Sequence, residues 1–124
     1  MANPNILAAT TLLGNSSTTS LSTTSATSIA NNAASSGKVY RVNSIVVSNN
    51  DATTAYPVTI NLYSAASLGG TAYPLVTSVS VPATAAVVVS DKTAAFYLLE
   101  NQSIGATAGT ANKITVIASW EEIS

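Results

Sequence analysis

The side chains in this sequence that could do acid–base or nucleophilic chemistry are few, and their spacing argues against a shared site. The carboxylates are Asp51, Asp91, Glu100, Glu121 and Glu122. Glu121 and Glu122, with Glu100, would in principle supply the paired carboxyl groups of a glycoside hydrolase. Neighbours on a strand point to opposite faces, however, so a strand through Glu121 and Glu122 separates them. Asp51, preceded by Asn49 and Asn50, offers oxygen ligands for calcium. A good calcium site takes about six to eight oxygens and more than one carboxylate, whereas Asn-Asn-Asp suits a turn directly. Serine is abundant, but the chain has no histidine to act as its base, and no Ser–Lys spacing suggests a substitute. Cysteine is absent too. Together these absences remove most thiol nucleophiles, imidazole bases, zinc sites, haem ligands and iron–sulfur clusters. The expectation is a chain with no catalytic residues, no metal and no cofactor.

The aromatic residues leave one binding reading open. Five tyrosines and Trp120 could form a sugar-stacking platform, as in a lectin-like carbohydrate-binding module. Tyr40 and Trp120 instead fit inward or interface positions, and we read them as core or interface anchors. Asn15-Ser16-Ser17 and Asn101-Gln102-Ser103 match the glycosylation acceptor pattern, which has meaning only in an exported chain. The opening residues lack the basic and apolar regions of a secretory signal. The longest apolar run, 83–89, is far short of the roughly 20 residues that span a bilayer. A formal charge of −1 with four scattered basic residues gives no footprint for nucleic acid. These features predict a product of the cytosol that ends in an assembly, with no direct nucleic-acid or membrane partner.

The elements that must position these residues read as β. At 124 residues the chain is one domain with enough length to bury a core. Residues 15–36 are almost entirely Ser, Thr, Ala and Asn, with Leu21 and Ile29 as the large apolar exceptions. So little apolar surface suits a disordered linker, while frequent Thr and absent Pro suit a strand paired with something else. We read residues 1–36 as an extended N-terminal arm ordered by contact with a neighbour, and 37–124 as the folded domain. Within the domain, 38–48 is apolar on both faces in its second half, as a central strand is. Asn49 to Ala52 then turn the chain into 58–63, whose alternation predicts a hairpin with one buried face. Gly69-Gly70 turn it again, Pro82 ends the next strand, and Asp91-Lys92 separate two short apolar segments. Gly105 and Gly109 bracket a weak strand, and 113–123 alternates Ile114, Val116, Ala118 and Trp120 against Thr115, Ile117, Ser119 and Glu121. Counting 6–13 and part of the Ser/Thr tract gives about eight strands and no helical stripe. The fold class is therefore all-β, a single β-sandwich or jelly roll.

Charge makes up only 7% of the chain, against roughly 25% in ordinary soluble domains. Soluble β-proteins guard their edges with Lys, Glu, Pro or bulges, and this sequence has few such guards. Val87-Val88-Val89 and 44–47 must therefore be central or covered by a second subunit. The expected native state is a homo-oligomer, or a component bound to a larger lattice.

Several segments carry a resemblance. Ala2-Asn3-Pro4-Asn5-Ile6, Ser36-Gly37-Lys38-Val39-Tyr40, Ser48-Asn49, Val81-Pro82-Ala83, Val88-Val89-Ser90-Asp91-Lys92, Phe96-Tyr97-Leu98-Leu99-Glu100 and Ser119-Trp120-Glu121-Glu122-Ile123-Ser124 resemble small virion proteins of tailed bacteriophages, notably those of cyanobacteria and other aquatic bacteria. The chain departs from their pattern at 99–103, where an acidic, Gly-containing turn is frequent, and at Trp120, where Tyr is common. The resemblance implies a non-enzymatic β-sandwich located in the virion. Its role would be capsid decoration or cement on the major capsid protein as a small homo-oligomer, such as a trimer, or a neck, tail or baseplate adaptor contacting other virion proteins.

Overall fold

The computed structural model describes residues 4–124 and shows two antiparallel sheets packed as a sandwich. The strands are β1 (Leu12–Ser20), β2 (Thr27–Asn32), β3 (Val39–Asn49), β4 (Tyr56–Ala65), β5 (Gly69–Val81), β6 (Ala86–Ser90), β7 (Phe96–Leu98), β8 (Gln102–Ala108) and β9 (Ile114–Ile123). Sheet A has the order β1-β9-β3-β6, with β7 also on β3; sheet B has the order β2-β8-β4-β5. The antiparallel pairs are nested: β1 with β9, β2 with β8, β3 with β6 and β7, β4 with β5. A long ribbon folded at the β4–β5 turn and then rolled gives this order, which is the jelly roll. The β3–β9 and β4–β8 ladders join the rolled layers.

Burial follows the alternation within the strands. Val42, Ile45 and Val47 of β3, Val58 and Ile60 of β4, Ile104, Ala106 and Ala108 of β8 and Ile114, Val116, Ala118 and Trp120 of β9 fill the space between the sheets. β3 is central in sheet A, paired on both sides, as its apolar faces predict.

Several expectations change. Residues 12–20 and 27–32, expected within an arm laid on a neighbour, pair with β9 and β8 of the same chain, and Leu21 and Ile29 are buried in its core. The tract is short of apolar residues because β1 is an edge strand whose hydrogen bonds come from β9, about a hundred residues away in sequence. The first three residues of that expected arm lie outside the described residues. The strand expected over 6–13 starts late: Ile6–Ala8 form a 3-10 turn capped by the Asn5 side chain, and only Leu12 and Leu13 of that range belong to β1. The 49–52 turn does not close a hairpin. It carries the chain from sheet A to sheet B, because β3 takes its partners from β9, β6 and β7.

Two buried asparagines hold the corners where the chain crosses between sheets. At the end of β2, Asn32 Nδ2 donates to Lys38 O (2.9 Å) and Leu98 O (3.2 Å), while Ser36 Oγ donates to its Oδ1. At the end of β3, Asn49 Nδ2 donates to Thr54 O and Val81 O, both at 2.9 Å, and Oδ1 accepts from Asp51 N at 2.9 Å. Each amide makes three hydrogen bonds, in a site almost closed to water. The β4–β5 loop is pinned similarly: Asn101, Asn31 and Ser103 side chains accept from the amides of Ala66, Ser67 and Leu68. Gly70 has φ +70°, and an added Cβ there would collide with Ser64 Oγ.

Asn49→Leu removes three hydrogen bonds, one of them buried and two part-buried, and typical bonds of this kind contribute about 1 kcal/mol each. The expected loss is ~3 kcal/mol in urea unfolding followed by Trp120 fluorescence. A variant within 1 kcal/mol of the parent would show that the corner does not depend on this amide.

Candidate interaction surface

The two residues singled out as anchors meet in the core. Tyr40 of β3 and Trp120 of β9 stack with ring centroids 5.8 Å apart and planes at 18°, both nearly enclosed. They share a face because Tyr40 lies opposite Glu122, and Val42 opposite Trp120. The Tyr40 hydroxyl donates to Asn31 O at 3.4 Å, and burial pushes its pKa up. Among the described residues, then, this pair packs the sandwich and offers no free surface.

The carboxylates stay separate. Glu122 turns to the inner face at the rim, where Lys38 Nζ lies 3.0 Å away and Asn15 Nδ2 donates to it. Burial pushes the Glu122 carboxyl up, but those hydrogen bonds and the Lys38 charge outweigh burial and hold it below the ordinary glutamate value. Glu121 points to the other face, accepting from Asn43 Nδ2 at 3.3 Å. Glu100 stands in the β7–β8 turn. Asp51 is committed to its turn: Thr53 and Thr54 amides donate to Oδ1 (2.9 and 2.8 Å), and Lys113 Nζ lies 3.0 Å from Oδ2. The Thr53 amide, Lys113 and the Thr54 amide hold its carboxyl well below the usual range. Asp91 likewise caps the 3-10 turn Lys92–Ala94, and Thr93 lowers its pKa. The described residues form no pocket and no group of three or more metal-ligating side chains. The two exposed tyrosines, Tyr73 on β5 and Tyr97 on β7, lie on different sheets and share no platform.

What remains as a candidate surface is the outer face of sheet A, legible from its register. One row runs Thr18–Ile117–Val46–Val88 across β1, β9, β3 and β6. Ile117 and Val88 are 44% and 58% exposed. On one side lies the row Ser20–Thr115–Ser48–Ala86, on the other Ser16–Ser119–Ser44. Charge enters only at the next row, Gly14–Glu121–Arg41–Tyr97, where the Glu and Arg are direct cross-strand partners. The face is therefore an apolar stripe between two hydroxyl rows. Sequence reading found the Val87–Val89 run as a feature needing cover, and β6 does lie at an edge. Ile117 stands on the outward side of the β9 alternation, as its spacing predicts, and the cross-strand register is what joins it to Val88 as exposed apolar surface.

The ionisable groups predict a simple pH response. Asp51, Asp91 and Glu122 have folded values below their unfolded ones, so their stabilisation is complete above about pH 5 and is lost as pH falls through the folded values. Lys38 and Lys113, raised by Glu122 and Asp51, and Tyr40, raised by burial, lose theirs as pH climbs past about 10. With no His or Cys, the melting temperature should be flat from about pH 5.5 to 9 and drop below about pH 4. Circular dichroism melts across that range check it; a step near pH 6.5 would contradict it.

Comparison with known proteins adds fold and nothing finer. No family model matches the chain, and no curated protein matches it. One solved chain similar to it comes from the structure described as "Bacillus endospore appendages form a novel family of disulfide-linked pili". The likeness covers 100% of this chain and 96% of that one, with a TM-score of 0.55 and 15% sequence identity. At that identity the shared property is the β-sandwich fold along the whole chain.

Proposed function

We propose that this protein is a non-enzymatic structural subunit that acts in an assembled state, and that the assembly is a bacteriophage virion in which it decorates or cements the capsid lattice. The observation that carries this reading is the outer face of sheet A. An apolar stripe flanked by hydroxyl rows suits a dry, uncharged contact and gives no group that could do chemistry on a bound molecule. Burial of such a face stabilises the bound state by mass action, and many copies on one lattice add up.

The fold likeness supports the coarser part of the proposal, since the similar chain belongs to a pilus, itself an assembly. That pilus is described as disulfide-linked, whereas this chain has no cysteine. Its contacts with the major capsid protein, other virion proteins or its own copies therefore use no disulfides. The resemblance of its short motifs to phage virion proteins supports the finer part.

Quantitative mass spectrometry of purified particles tests the reading. Hundreds of copies relative to the major capsid protein fit decoration, a few dozen or fewer move the protein to the neck, tail or baseplate, and absence from particles refutes the virion assignment. The contact face has its own test. Ile117→Lys with Val88→Lys changes exposed side chains only, so the melting temperature should stay close to that of the parent while particle occupancy falls at least tenfold. Because the face is uncharged, occupancy of the parent should change little between about 0.05 and 0.5 M salt.

A further inference from the structure

We propose that β1 is a self-complementary edge through which two copies of this chain pair, antiparallel and about a two-fold axis at Ser16, joining their A sheets into one. The inference deepens the structural-subunit reading and rests on it, naming a partner surface that is distinct from the outer face.

The ladder register fixes which backbone groups of β1 are free. Thr11 and Ser124 exchange hydrogen bonds at 3.0 Å in both directions, and Leu21 N donates to Ile114 O at 2.9 Å. The register between them is unbroken, so odd residues 13–19 also bond β9. The N–H and C=O groups of Leu12, Gly14, Ser16, Thr18 and Ser20 consequently point away from the sheet. Among the described residues, the hydrogen bond that reaches this row is Ser16 N to its neighbour's Asn15 Oδ1, at 2.9 Å.

The other three edges are interrupted. β5 carries Pro74, three register shifts against β4 and Ser78 at φ +48°. The β6–β7 edge is broken by the 3-10 turn Lys92–Ala94. β2 is six residues long and bulged between Ser28 and Ala30. β1 is nine residues with no charge, no proline and no bulge. An edge without such devices templates pairing.

The sequence of β1 identifies the occupant as its own copy. Centred on Ser16, the antiparallel register sets Leu12 opposite Ser20, Gly14 opposite Thr18 and Ser16 opposite Ser16 of the second copy. Every outward group then finds its complement over the full strand, and no like charges meet. Leu13, 55% exposed in the single chain, comes to lie beside Thr19 of the second copy. An isologous contact of this kind closes at two subunits.

Proline discriminates this contact from the integrity of the fold. The Ser16 N–H faces outward, so Ser16→Pro removes no bond to β9 while blocking a partner strand. Ser17→Pro, whose N–H faces β9, should lower the melting temperature and serves as the contrast. A single cysteine in this cysteine-free chain reports directly: opposed residues in a hydrogen-bonded pair lie about 5.5 Å apart at Cα, within the disulfide range. Sedimentation of the full chain over ~1–100 µM should show a dimer that Ser16→Pro weakens at least 100-fold without moving the melting temperature. Ser16→Cys should cross-link on mild oxidation, and Ala52→Cys, in the exposed β3–β4 loop, should not.

Association that survives Ser16→Pro, equal cross-linking at both positions, or a parent chain that stays monomeric at ~100 µM each overturns the pairing. Particle copy number separates this failure from that of the structural reading. A monomer abundant in particles defeats only the β1 contact, while a β1 dimer absent from particles defeats only the virion assignment.

Discussion

Neutral amide and hydroxyl groups satisfy the buried polar backbone of this protein, and the jelly roll depends on them at its corners. Wherever a chain leaves one sheet for the other, ladder bonds end and backbone groups are left facing the interior. Asn32 and Asn49 fill those gaps with three bonds apiece, fixing the β2–β3 and β3–β4 crossings from opposite ends of the central strand β3. A charged side chain in either place would lose its hydration without an ion to replace it. The asparagine amide offers two donors and an acceptor at a far smaller desolvation cost.

With the corners held, the nested ladders set the registers, and the registers set the surface. The outer face of sheet A follows from strand alternation alone once β1, β9, β3 and β6 are aligned. Its rows are uniform because each strand places Ser, Thr or a β-branched residue at the same level. Such a face has little to offer water beyond hydroxyls, and its few charges are gathered at one end beside Glu121 and Arg41. Among the described residues two ion pairs stand at the rim, Lys38 with Glu122 and Lys113 with Asp51. The first ties the residue before β3 to β9 and the second ties two loops together, leaving the broad faces electrostatically quiet. A protein built this way gains little from colloidal repulsion and much from contact with a matching surface.

A whole-chain likeness to a pilus subunit at 15% identity illustrates how loosely this architecture is tied to sequence. Disulfide linkage in that assembly has no counterpart in a chain without cysteine. The proposed role lies in faces and edges, for which a sheet's geometry matters more than any single side chain.

Much of the molecule was legible in the sequence because strand alternation and turn chemistry are local. The strand through Val39–Asn49, the alternating β9, the stop at Pro82 and the turn at Asp91-Lys92 all depend on neighbours a few residues apart; the turn expected at Gly69-Gly70 falls just before it, at 66–68. The separation of Glu121 from Glu122 followed from the same alternation. Tertiary structure decided what depends on distant partners. The Ser/Thr tract reads as an arm because β1 takes its bonds from β9 at the far end of the chain; the burial of Leu21 and Ile29 is the local sign that it belongs to the sandwich. Asn49-Asn50-Asp51 signals a turn but not whether that turn closes a hairpin or crosses between sheets, since both use the same residues. Nor does composition reveal that Tyr40 and Trp120 meet in the core while Ile117 and Val88 line up outside. Alternation assigns each residue a side of its strand, and only the register between strands determines which residues share a surface.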